Sequence, residues 1–178
     1  MGLFRTRASD MRRAYAYLLA IGLGLLVLSL WLHGCWRSAE KLDTPAALAQ
    51  RVRDGASTEE RVAAARGLTR CGAAARQEIR RALAESRDAP PEVRCALLEA
   101  AMKIRDWRSL PEVFAAMDDA DVAVRGRGGA AAREISGADN RFRADDPPEK
   151  RGKLVNELRE AFQRSGSNYA KAYPDQEE

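Results

Sequence analysis

From Ala14 to Leu32 the chain carries no charged residue. As a helix, this run of 19 residues spans about 28 Å, close to the hydrocarbon thickness of a bilayer. Beyond it the apolar residues return at helical spacing. Leu48 and Val52, Ile79 and Leu83, and Val113 and Met117 each lie four residues apart, as on one buried helix face. Between these pairs lie three alanine-rich stretches that read as copies of one helix. The first runs from Glu60-Arg61-Val62 to Cys71, the second from Val93-Arg94-Cys95 to Ile104, and the third from Val124-Arg125-Gly126 to Ile135. With Arg61, Arg94 and Arg125 aligned, Leu68, Ala101 and Ala132 coincide, as do Cys71, Ile104 and Ile135. A spacing of about 31–33 residues predicts a stacked array of helix pairs, in which each pair buries its apolar face against the next.

Capping residues mark the boundaries. Thr44-Pro45 opens the first outer helix and Gly55 ends it. Ser57 and Glu60 have capping-box spacing before the first copy. A second outer helix is predicted from Ala73 to Ser86, and Asp88 to Glu92 starts the second copy. Asp106-Trp107-Arg108 reads as a turn, after which Ser109, with Pro111 and Glu112, caps a short helix. The third copy carries Gly126, Gly128 and Gly129, each costing about 0.8–1 kcal/mol against Ala in a helix interior. It is expected to be the least stable copy unless close helix approach compensates. Asp146-Pro147-Pro148-Glu149 starts a last helix, predicted to run to about Arg164 on a stripe of Leu154, Val155, Leu158 and Phe162. The division that follows is a basic amino terminus at 1–13, a transmembrane anchor at 14–32, a linker at 33–43, repeats at 44–137, a loop and capping helix at 138–164, and a disordered tail at 165–178.

Charge sharpens this picture. Four of the 30 basic residues and one of the 26 acidic residues fall in the first 36 positions, leaving 26 basic and 25 acidic residues in the remainder. A part so nearly balanced does not fit a nucleic-acid-binding domain. Arg5, Arg7, Arg12 and Arg13 before the apolar run favour a cytoplasmic amino terminus, with the repeats on the extracytoplasmic side. Tyr15, Tyr17, Trp31 and Trp36 sit where aromatic rings favour the two interfaces. Leu32-His33-Gly34-Cys35 is similar to a bacterial lipobox, with His33 where a small or aliphatic residue is usual; on that reading Cys35 is lipidated and becomes amino-terminal. A cleaved secretory signal is a third reading of the run. Ala16, Ala20 and Gly24 form a small-residue row through which two such helices can pack as a homodimer.

Glu92-Val93-Arg94, and Asp121 with Val124-Arg125, each pair an acidic turn with Val-Arg and a small-residue helix. This pattern, over about Asp43 to Gly137, resembles the HEAT-like repeats of bacterial proteins, including those related to phycobilin lyases. Gly137 and Phe142, ahead of an acidic-proline turn, resemble a terminal segment of some of these proteins. The resemblance implies an all-α fold, a short right-handed α-solenoid of about three helix pairs with a carboxy-terminal capping helix. It also implies that Arg61, Arg94 and Arg125 are a structural ladder bonding the turns of neighbouring repeats. A basic stripe facing phosphate is the alternative role for the same residues.

No catalytic constellation is legible. The single histidine, His33, stands beside the apolar run, and Cys71 and Cys95 are placed as separate small core residues. Gly126-x-Gly128-Gly129 follows no strand, so it does not read as a phosphate loop. Asp118, Asp119, Asp121, Asp145 and Asp146 read as caps and turns rather than calcium ligands. No cofactor and no metal are expected. The function expected is a membrane-tethered, non-catalytic scaffold binding a protein or peptide, with Trp107, exposed in its turn, as a first contact. The alternative is a small enzyme or enzyme subunit related to the chromophore lyases.

Overall fold

A computed structural model describes residues 43–172 and Pro174. The expected transmembrane anchor, Cys35, the row Ala16, Ala20 and Gly24, and the basic amino terminus all lie outside the described residues. No helix among the described residues is long and apolar enough to cross a membrane.

All regular structure among the described residues is helical. The helices are α1 (Pro45–Asp54), α2 (Thr58–Arg70), α3 (Arg76–Glu85), α4 (Pro91–Ile104), α5 (Leu110–Ala116), α6 (Val122–Ser136) and α7 (Pro148–Ala172). Short 3-10 turns at Gly72–Ala75 and Trp107–Ser109 lead into α3 and α5. The caps explain most starts. The Thr44 hydroxyl accepts from Ala47 N at 3.2 Å. Ser57 accepts from Glu60 N at 3.2 Å, and the Glu60 carboxylate accepts from Ala56 N at 3.0 Å. Asp121 accepts from Ala123 N and Val124 N at 2.8 and 3.1 Å. These bonds satisfy amide donors that the first turn of a helix leaves unpaired.

Two starts differ from expectation. The stretch predicted as helix from Ala73 opens as a 3-10 turn, because Gly72 takes a left-handed conformation at φ +60° and redirects the chain. Ser109 makes no capping bond to α5. Its hydroxyl turns back to Asp106 O at 2.6 Å, and Asp106 is the cap, accepting from Arg108 N at 3.3 Å. Asp106 is buried and meets the Arg80 guanidinium at 2.9 Å. That contact ties the turn before α5 to α3.

The helices pack in two rows. α4 lies between α2 and α6, and α1, α3 and α5 each pack on the helix that follows them. α3 also touches both α1 and α5. Leu48, Val52, Leu68, Ile79, Leu97, Leu98, Val113, Met117 and Val124 fill the space between the rows. Burying each such side chain contributes about 1.5–3 kcal/mol. Leu83 is only half-buried.

Two glycines of α6 are required by close approach. A Cβ at Gly128 would lie 3.1 Å from Met117 N and 3.2 Å from the Ala116 carbonyl carbon. A Cβ at Gly129 would lie 2.4 Å from the Phe142 ring. Phe142 is buried there by a loop that folds back after Gly137. Asn140 anchors that loop, donating to Gly129 O at 3.1 Å and accepting from Phe142 N at 3.1 Å. Gly126 has no such constraint, since Ala144 Cβ would stand 3.7 Å away.

α7 continues to Ala172, eight residues past the predicted end at Arg164, so residues 165–172 of the expected tail are helical. The cause is Tyr169. Its ring stacks on Trp107 at 5.9 Å between centroids and packs against Phe162 at 5.8 Å. Phe162 in turn meets Trp107 and Phe114, both at 6.1 Å. This cluster holds α7 against α5 and the turn before it.

Candidate functional site

One face of α2, α4 and α6 forms a groove of about 630 Å³. Equivalent positions of successive copies line it. Glu59, Val62, Ala63 and Arg66 come from α2, Glu92, Cys95, Ala96 and Glu99 from α4, and Ala123 and Arg127 from α6. A continuation of about 380 Å³ runs on past Thr69, Arg70 and Lys103. Because the helices repeat in register, the lining sorts along their axes. Glu59, Glu92 and Asp121 mark the amino-terminal wall, Val62, Cys95, Ala96 and Arg127 the middle, and Arg66 and Arg70 the opposite side. At 1.5 Å per residue, the seven residues from Glu59 to Arg66 correspond to about 10 Å. That is the width of one polypeptide segment.

The charges in the groove are not equally available. Glu59 is held below the ordinary carboxylate range by its own backbone N–H and by Ser57. Asp121 caps α6, and Glu99 pairs with Lys103 at 3.3 Å. Arg66, Arg70 and Arg127 are exposed and make no ion pair or hydrogen bond among the described residues. Val122, beside the acidic wall, is an exposed large apolar residue, at 54% exposure.

Cys95 belongs to the groove and is half-buried, as is Cys71; both pack against the edge of the core expected to bury them. Burial pushes the Cys95 thiol up from its ordinary value, against the opposing pull of Arg127 and Arg94. At neutral pH it is therefore a neutral thiol and a poor nucleophile. Among the described residues no group of three or more His, Cys, Asp or Glu is placed to hold a metal ion.

The aligned arginines face away from this groove, toward the turns between helices. Arg61 Nε donates to Val52 O at 2.7 Å. Arg94 Nη1 donates to Arg87 O at 2.7 Å, and its Nη2 lies 3.2 Å from the Asp119 carboxylate of the next turn. Arg125 donates to Asp119 O and Ala120 O at 2.8 and 2.9 Å, and to Ala144 O at 2.8 Å beyond α6. Their guanidiniums are engaged by main chain and are not presented to phosphate.

The chain matches no protein-family model, no curated protein and no solved structure.

Trp107, expected to be exposed in its turn, is half-buried instead. Tyr169 covers one side of its ring, and the Arg108 guanidinium lies 5.5 Å from the centroid. A turn tryptophan in sequence gave no hint that a helix some 60 positions later would cover it. Sequence reasoning also passed over Arg66, Arg70 and Arg127. Their signal was positional, since Arg66 and Arg127 stand five and two residues after the aligned arginines, on the face those arginines do not use.

A second crevice, of about 200 Å³, opens between α3, α4 and α5. Glu112 lines it, and burial raises its carboxyl above the ordinary value, with Arg80 and Arg87 opposing. No thiol or hydroxyl nucleophile other than the buried Ser86 shares that crevice.

Proposed function

We propose that residues 43–172 form a short right-handed α-solenoid of three HEAT-like helix pairs capped by α7, and that it serves as a non-catalytic scaffold binding a protein or peptide segment in the groove of α2, α4 and α6. The uncharged run Ala14–Leu32 would tether it to a membrane, with the repeats on the extracytoplasmic side. The observation that carries this reading is that the same repeat positions from successive helices line one groove, with an apolar floor and unpaired charged side chains on its wall. Arg61, Arg94 and Arg125 support the repeat reading, since Arg94 and Arg125 bond the turn that precedes their own helix and Arg61 bonds the last turn of the helix before it. The protonated state of Cys95 argues against nucleophilic catalysis by this thiol of the groove.

The test is crosslinking in the membrane from a photoreactive residue at Thr69, in the full-length chain. A discrete adduct is expected. Ala63→Arg, which fills the groove from an exposed position, should abolish it. Ala74→Arg, also exposed but outside the groove, should leave it intact. An adduct indifferent to Ala63→Arg would end the groove reading.

A further inference from the structure

The groove's charges cancel in sum but not in place, and their placement indicates the occupant; this rests on the scaffold reading above. Glu59, Glu92, Glu99 and Asp121 balance Arg66, Arg70, Lys103 and Arg127. Glu99 and Lys103 pair with each other at 3.3 Å. The remaining acids, Glu59, Glu92 and Asp121, stand together on the amino-terminal wall. Arg66 and Arg70 stand opposite, and Arg127 lies between. Helix dipoles do not undo this polarity. α1, α3 and α5 end at the turns where α2, α4 and α6 begin, so the dipoles of the two rows oppose one another there. Those turns, residues 53–61, 85–94 and 118–125, carry nine acidic residues against five basic ones. The groove is a neutral surface with one negative edge and one positive edge.

We propose that it takes a helix of a partner protein, laid across α2, α4 and α6, with a small apolar stripe on the floor, basic residues along one flank and acidic residues along the other. The distance between the edges, about 10 Å from Glu59 to Arg66, matches the diameter of a helix with its side chains. A strand points its side chains alternately up and down, so it does not serve two lateral edges at once. A helix presents an apolar stripe with a polar flank on each side. A helix with one sign of charge on both flanks meets a like-charged edge whichever way it lies. Val62, Ala63, Cys95 and Ala96 offer the stripe small apolar contacts without a deep pocket. Three helix axes about 8–10 Å apart span about 16–20 Å, the length of about 11–13 residues of helix.

The experiment is selection, on the full-length chain in detergent micelles, from a displayed helical-hairpin library with one exposed helix face randomised. A library of linear, proline-containing peptides runs in parallel. Enriched helices should carry Lys or Arg on one flank and Asp or Glu on the other. Exchanging charges so that each flank holds both signs, at constant composition, should weaken binding at least about tenfold. R66Q/R70Q and E59Q/E92Q should each weaken it as much. All four positions are exposed, so both variants should keep their helical circular-dichroism signal. Enriched helices that are lost on Ala63→Arg but ignore the flank exchange and both charge variants would overturn the two-flank proposal and leave a peptide groove in place. Enrichment from the linear library alone would replace the helix by an extended segment. A dimer of the chain in micelles that is lost on Ala63→Arg, with nothing enriched, would make the occupant a second copy. Absence of any enriched helix overturns the proposal; if the Thr69 adduct also fails to form, the scaffold reading falls with it.

Discussion

At Gly129 a single methyl group decides whether the loop after α6 can close, because the Phe142 ring already occupies the place a Cβ would take. Gly129→Ala is expected to destabilise the fold by about 1–3 kcal/mol through overpacking. Gly126→Ala, three residues earlier and in open space, should stabilise it by up to about 1 kcal/mol. Urea melting followed by helical circular dichroism would show opposite shifts for the two. The same melting separates the two classes of arginine. Arg125→Ala leaves three carbonyls without their donor and should cost about 1.5–3 kcal/mol. Arg127→Ala removes nothing the domain uses and should fall within about 0.5 kcal/mol of zero. Glu112 adds a pH dependence. Its raised pKa means the folded chain holds the proton more tightly than the unfolded chain, so ionisation above the ordinary carboxylate range counts against folding. Glu112→Gln should therefore be more favourable, relative to the native chain, at pH 7 than at pH 4. A gap that is constant or reversed across that range would show that burial does not govern this group.

Among the elements, α7 depends most on one contact. Val155, Phe162 and Tyr169 stand seven residues apart and so share a helix face. Tyr169→Ala removes the stack on Trp107, a contact of about 0.5–1.5 kcal/mol beyond its burial. Amide exchange is expected to quicken from residue 163 to 172 while α2 and α4 keep their protection; uniform change across all helices would contradict a local anchor. The seven-residue spacing was present in the sequence but hidden by the polar residues from Ser165 onward. The inner helices were legible because capping residues and small apolar residues recur in register, and those are local signals. The Asp106 contact with Arg80, the Asn140 bond to Gly129 O and the covering of Trp107 were not, because each joins positions that meet only after the helices have packed. The groove arginines were overlooked for a different reason. On a chain so rich in arginine, an unpaired one looks like a paired one until its neighbours are placed.

At the scale of the whole chain, the proposed tether makes a mass prediction. The full-length mass from membranes would support a retained helix at Ala14–Leu32. A chain beginning at an acylated Cys35 would replace that helix with a lipid and leave the groove unaffected. The loop of Asn140 and Phe142 has a separate consequence, for copy number. Arg94 reaches forward to Asp119 in the next turn, and Arg125 reaches forward in the same way, but to Ala144 in the returning loop. That loop stands where the turn of another helix pair would begin, and Asn140 and Phe142 fasten it to α6. A tandem duplication inserted after Gly137 would have to displace both residues before it could stack. An insertion after Glu85, between α3 and α4, would meet a different barrier, since it would part Arg80 from the buried Asp106.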